Sequence, residues 1–103
     1  MSDRIEKLKK MLENEPNDPF CLYGLAQEYT KTGELDRAVE LYERTIEIDP
    51  AHSYAYFHLA RVLEQQDEID RARQTLQAGL ERARAADDQK AAEEIQAFLD
   101  ALD

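Results

Sequence analysis

Residues 34–50 read ELDRAVELYERTIEIDP, and residues 68–84 read EIDRARQTLQAGLERAR. The two stretches begin almost alike and lie 34 residues apart. The offset extends well beyond them. Pro16 and Pro50 share it, as do Leu25 and Leu59, Ala26 and Ala60, Asp36 and Asp70, Arg37 and Arg71, and Ala38 and Ala72. One offset kept by this many pairs marks a duplicated unit. Such repetition has a physical reason. A single small unit cannot bury its apolar face alone, whereas stacked copies bury a continuous core.

Within each unit the apolar residues follow a helical period. Leu22, Leu25, Ala26 and Tyr29 fall at i, i+3, i+4 and i+7, one stripe of a helix. Leu35, Ala38, Val39, Leu41, Tyr42 and Ile46 form a broader stripe on the next. Between the two lies KTGEL, where Gly33 suits the left-handed residue that ends a helix. Glu34 and Asp36 place negative charge at the next helix's N-terminus, where its dipole favours it. In the second unit Asp67 stands where the first has Gly33, so that turn is expected to be less stable.

Six helices are expected, over about 2–14, 18–31, 35–48, 52–65, 69–84 and 88–102. Pro16 and Pro50 stop the first and third. Asn17 or Asp18 caps the second, and Asp87 or Asp88 the sixth. Arg84 stands where a terminating proline would fall, which leaves the stretch RAADDQK as the softest boundary.

Composition narrows the function classes. The chain has 103 residues, 43% of them hydrophobic, with three prolines and three glycines, which suits one folded domain rather than a disordered chain. It lacks an apolar run long enough to span a membrane, and MSDRIEKLKK has no apolar core of a signal peptide. Cys21 is the one cysteine, so no internal disulfide forms, and a cytoplasmic, reducing location is the default expectation. Acidic residues number 23 against 13 basic, a net charge of −10. Such a surface disfavours nucleic acid and anionic membranes. It reads either as a solubility device or as adaptation to high salt.

These residues resemble the tetratricopeptide repeat, a helix–turn–helix unit of about 34 residues with Trp-x2-Leu-Gly-x2-Tyr, then Ala-x3-Phe, then Pro. The first unit matches with Leu22, Leu25, Ala26, Tyr29, Ala38, Tyr42 and Pro50, and the second with Tyr56, Leu59, Ala60, Leu63, Ala72 and Leu76. Leu22 and Tyr56 replace the tryptophan. Asp67 and Arg84 depart from the pattern at the turn and end of the second unit. Leu8, Leu12 and Pro16 align with Tyr42, Ile46 and Pro50, so residues 1–16 resemble half a unit. The resemblance implies an all-α fold, an α-solenoid of antiparallel helix pairs. It divides into a half repeat (1–16), repeats at 17–50 and 51–84, and a capping helix at 87–103. Ala91, Ile95, Phe98, Leu99 and Leu102 give that last helix one apolar face, as a cap requires. Met1 and this cap suggest something close to a complete protein.

Catalytic constellations are absent from the sequence. There is no glycine-rich phosphate loop, no HExxH and no CxxC, so neither enzyme activity nor a cofactor or metal is expected. His52 and His58 lie six apart on an expected helix and should point to different sides. Cys21 reads as a half-buried thiol at a helix start.

The remaining candidate is the concave face. In the family it is lined by the first helix of each unit. Carried onto this chain, that implies Phe20, Tyr23, Gln27, Thr30 and Lys31, then Tyr54, Phe57, His58, Arg61 and Gln65. Tyr and Arg dominate binding hot spots. Lys31 and Arg61 put positive charge inside an acidic molecule, suited to a carboxylate or a backbone carbonyl. The aromatics either face the groove or pack between helices. The implied partner is a protein or peptide, and the alternative is self-assembly into a homo-oligomer through the solenoid ends. Tyr23, Gln27 and His58 stand where lysine and asparagines would be needed to grip a chaperone's terminal carboxylate, so that specialised activity is not expected.

Overall fold

Six α-helices follow one another in the computed structural model, which describes residues 3–102: α1 (Asp3–Asn14), α2 (Pro19–Thr32), α3 (Leu35–Ile48), α4 (Ser53–Gln65), α5 (Ile69–Ala85) and α6 (Gln89–Leu102). Each lies within one or two residues of its expected span. The expected start of the first helix at Ser2 and the last residue of the closing segment, Asp103, lie outside the described residues.

The helices end for local reasons that the sequence carries. Gly33 takes φ 84°, and its N–H and that of Glu34 return to the carbonyls of Thr30 and Tyr29. This is the hydrogen-bonded turn by which a left-handed residue closes a helix. Asp67 repeats it at φ 63°, with Glu68 N–H donating to the Leu63 carbonyl. Asp87 repeats it again at φ 58°, with Asp88 N–H donating to the Ala83 carbonyl. The stretch after α5 is therefore the same turn a third time. Asp87 ends α5, and Asp88 starts α6 by accepting from the Ala91 N–H at 3.1 Å. At α2 the cap is Asp18, which accepts from Phe20 N–H at 2.9 Å ahead of Pro19 in the first turn.

Sequential packing builds the layers: α2 on α3, α3 on α4, α4 on α5 and α5 on α6, with α1 against α2. One apolar core runs the length of the molecule. The alanines Ala26, Ala38, Ala60, Ala72 and Ala83 are fully buried where helices approach, and Leu22, Tyr42, Leu63, Leu76 and Ile95 fill the space between them. All the residues of the first expected stripe, Leu22, Leu25, Ala26 and Tyr29, lie in this core. Cys21 is 1% exposed, deeper than the half-burial expected of it, and its thiol donates to Asp18 at 3.5 Å. Burial, and then the Asp18 carboxylate, push that thiol's pKa up.

The two ends differ from the middle. Ala91 and Ile95 of α6 are fully buried, and Phe98, Leu99 and Leu102 are half-buried against the core. Besides its main contact with α5, α6 reaches back to α4. At the other end, Arg4 occupies the place on α1 that Ala38 holds on α3. No earlier helix covers it among the described residues, and it reaches Glu28 of α2 at 3.0 Å.

Candidate functional site

Gln27, Thr30 and Lys31 stand on one face of α2, and His58, Arg61 and Gln65 on the facing side of α4. Between them is an open hollow of about 220 Å³. Its floor is the ring of Tyr42 from α3 and the side chain of Val62. Helical spacing sets this wall. Residues 27, 30 and 31 recur at three and four, as do 58, 61 and 65, so each set forms a continuous stripe.

Six of the ten implied groove residues thus come together: Gln27, Thr30, Lys31, His58, Arg61 and Gln65. Tyr23 stands beside them in an aromatic cluster. Its ring is 4.5 Å from that of His52, 5.8 Å from that of His58 and 5.8 Å from that of Tyr42. His58 in turn stacks on Tyr42 at 6.2 Å. The two histidines were expected on different sides, yet both meet Tyr23. His52 precedes the first turn of α4 rather than lying on it, so helical spacing does not govern its direction.

The other three implied residues face elsewhere. The Tyr54 hydroxyl donates to Glu94 at 3.2 Å, and the Phe57 ring meets Phe98 edge-on at 5.4 Å. Both therefore help dock α6 on α4. Phe20 is 71% exposed and borders a separate hollow against α1, beside Arg4, Lys7 and Met11. Its position on α2 faces α1 instead of α4. Tyr42 and Val62 are the site residues that sequence reasoning missed. The helical stripe of α3 marked Tyr42 as core, Val62 was not singled out, and both side chains are buried. Only the spacing between α2 and α4 shows that a face of each is reachable.

Electrostatics at the hollow favour neutral rings beside two fixed cations. Burial lowers the His58 pKa, with Arg61 and His52 acting in the same direction, so the imidazole is held neutral. Burial pushes the Tyr23 phenol up to about 12, with Tyr42 and Tyr54 adding to it. Tyr42 is also raised by burial, against the opposing pull of the Thr30 hydroxyl and Arg61. Among the described residues no group of three or more His, Cys, Asp or Glu is placed to hold a metal ion. No helix among them is long and apolar enough to cross a membrane.

The architecture and its relatives agree. A family profile described as tetratricopeptide repeat matches residues 31–97. The chain belongs to the tetratricopeptide repeat family. A TPR repeat-containing protein of Pseudomonas aeruginosa is 32% identical over 99 residues, covering 96% of this chain and 94% of that protein. The solution structure of a tetratricopeptide repeat domain protein from Salinibacter ruber is 38% identical with a TM-score of 0.81, covering 85% of this chain and 89% of that one. The Yersinia enterocolitica type III secretion chaperone SycD, solved with a peptide of the translocator YopD, shares the fold with a TM-score of 0.85 at 20% identity, over 95% of this chain and 76% of SycD. Members of this family are repeat scaffolds, generally without catalytic activity.

Proposed function

We propose that this tetratricopeptide repeat chain is an interaction module that binds a peptide segment or a partner helix on its concave face, in the hollow between α2 and α4. The carrying observation is that hollow itself. Polar groups from two successive first-type helices converge above the apolar floor of Tyr42 and Val62. A few polar groups fixed over an apolar base is the make-up of a binding cleft. That SycD was solved with a bound peptide supports the same use for this fold.

The groove is short. Because α6 occupies the concave side of α4 through Phe57 and Tyr54, a ligand has only the α2–α4 half to lie in. Stable specific interfaces bury about 800 Å² per partner, and this site offers less, so affinity in the micromolar range is expected. Panning a random-peptide display library against the immobilised chain tests the reading. Selected peptides should shift the backbone amide resonances of Gln27, Thr30 and Gln65 in nitrogen-edited NMR spectra. Peptides that perturb only α1 or the outer side of α5 would place binding elsewhere.

Exposed Phe20 and Met11, at 71% and 47%, favour a second reading, self-association through the end at α1. Sedimentation velocity over a wide concentration range decides it. A mass of one chain throughout removes this reading.

A further inference from the structure

A second hollow, of about 290 Å³, lies on the convex side where α3 and α5 flank α4. Its base is apolar: Ile46, Tyr56 and Leu59. It is open because the two repeats differ there. The first unit has Leu41 and Arg44 at the positions where the second has Thr75 and Ala78. Leu41 is buried, and the Arg44 guanidinium donates to the Pro16 carbonyl at 3.0 Å. In the second unit the Tyr56 hydroxyl takes over that task, donating to the Pro50 carbonyl at 2.9 Å. This bond, and the close fit of Tyr56 on Gly79, hold the ring at the base of the hollow. The recess is therefore preformed.

The end at α1 is its converse. Arg4 and Met11 stand where α3 has Ala38 and Thr45, and where α5 has Ala72 and Gly79. Those small residues let the preceding helix approach closely. Two long side chains keep a further helix from seating on α1 in the same way. What the end presents is a protruding ring, Phe20, beside Met11 and Lys7.

The two places carry opposite charge. Glu43 stands on the rim of the hollow, and Glu40 and Glu47 flank it on the same exposed stripe of α3. On α1, Lys7 and Lys10 are exposed one turn apart. Glu43 is paired with Arg71, but Glu40, Glu47, Lys7 and Lys10 make no ion pair among the described residues. Residues 1–16 hold four basic and four acidic residues, so the whole net charge of −10 lies in the rest of the chain. Two α1 ends meeting would set the lysines against their own copies. An α1 end meeting the acidic convex side pairs opposite signs.

We infer that Phe20 of one copy inserts into the convex hollow of a second copy, with Lys7 and Lys10 against the Glu40–Glu47 stripe. This rests on the self-association reading above and names the surface that receives the α1 end. Ring and hollow sit at different places on the chain, so the contact is heterologous. Each added copy leaves one ring and one hollow free, and association is open-ended rather than closed at a dimer. One ring with a few rim charges is a small contact, so it forms at high protein concentration.

Sedimentation velocity of the full chain tests this at about 0.15 M salt, where repulsion between acidic chains is screened beyond about 8 Å. The mass should rise with concentration past two chains. Phe20→Ser removes the ring, while Thr75→Leu and Ala78→Arg each fill the hollow with the first unit's residue. Each should weaken association about tenfold or more, with helicity checked by circular dichroism. Mixing Phe20→Ser with Ala78→Arg leaves one intact ring and one intact hollow, so the mixture should associate again and stop at two chains. If the filled variants associate as the wild type does while Phe20→Ser does not, the α1 end remains the contact and the hollow is not its receiver. A mass of one chain throughout removes both.

Discussion

Tyr56 of α4 lies directly over Gly79 of α5: a Cβ placed on the glycine would sit 2.6 Å from the tyrosine's own Cβ and 3.0 Å from its ring. No rotamer change moves a Cβ, so the two helices would have to separate. An alanine in mid-helix ordinarily gains up to about 1 kcal/mol over glycine. Here overpacking, about 1–3 kcal/mol, wins. Gly79→Ala should therefore lower the urea midpoint. An unchanged or raised midpoint would show that α4 and α5 have slack.

Phe98 closes the second half of the concave face by meeting Phe57 at 5.4 Å. Removing a half-buried ring costs less than the 3–5 kcal/mol of a fully buried one, so Phe98→Ala should destabilise the fold by about 2 kcal/mol. It should also uncover Phe57, which binding of an environment-sensitive dye at denaturant-free conditions would detect. A stability loss with no new dye binding would mean that α6 settles back over the gap.

The two pair turns offer a reciprocal exchange. Gly33 has open space around a built Cβ but sits at φ 84°, so Gly33→Ala meets backbone strain and no clash. It should cost about 1–2 kcal/mol, the penalty of the left-handed region for a residue with a Cβ. Asp67 already sits at φ 63°, so Asp67→Gly should be neutral to stabilising by up to about 1 kcal/mol. Thermal melts of both variants give the comparison. A stabilised Gly33→Ala or a clearly destabilised Asp67→Gly would contradict the strain account.

His58 makes stability depend on pH. Burial is the main reason that its folded pKa lies below the ordinary value. The unfolded chain takes up that proton near about pH 6.5, before the folded chain does. Below that point the unfolded state binds more protons, so the contribution is full at neutral pH and is lost as pH falls below about 6.5. Urea midpoints measured over this window should drop in the wild type. They should drop less in His58→Phe, which keeps a ring against Tyr42 and Tyr23. Parallel curves would remove His58 as the source.

Much of the concave face was legible because helical spacing projects Gln27 with Lys31, and His58 with Arg61 and Gln65, in fixed directions. What was not legible depended on helices meeting across the chain. Tyr54 and Phe57 share the repeat's groove positions, but Glu94 and Phe98 of α6 claim them. Tyr42 looked like pure core, yet the gap between α2 and α4 leaves its ring as a floor.

The sequence by itself determined the helices, their ends and their pairing. Period, the turn residues Gly33 and Asp67, and the small alanines act within a few residues of chain, so a linear reading reaches them; that Asp87 closes α5 as a third left-handed residue, rather than capping α6, came from the structure. Tertiary structure alone decided which implied groove side chains remain open and which α6 covers. Those outcomes follow from the separation of α2 from α4 and of α4 from α6. Such separations are set by packing over the whole core rather than by any local pattern.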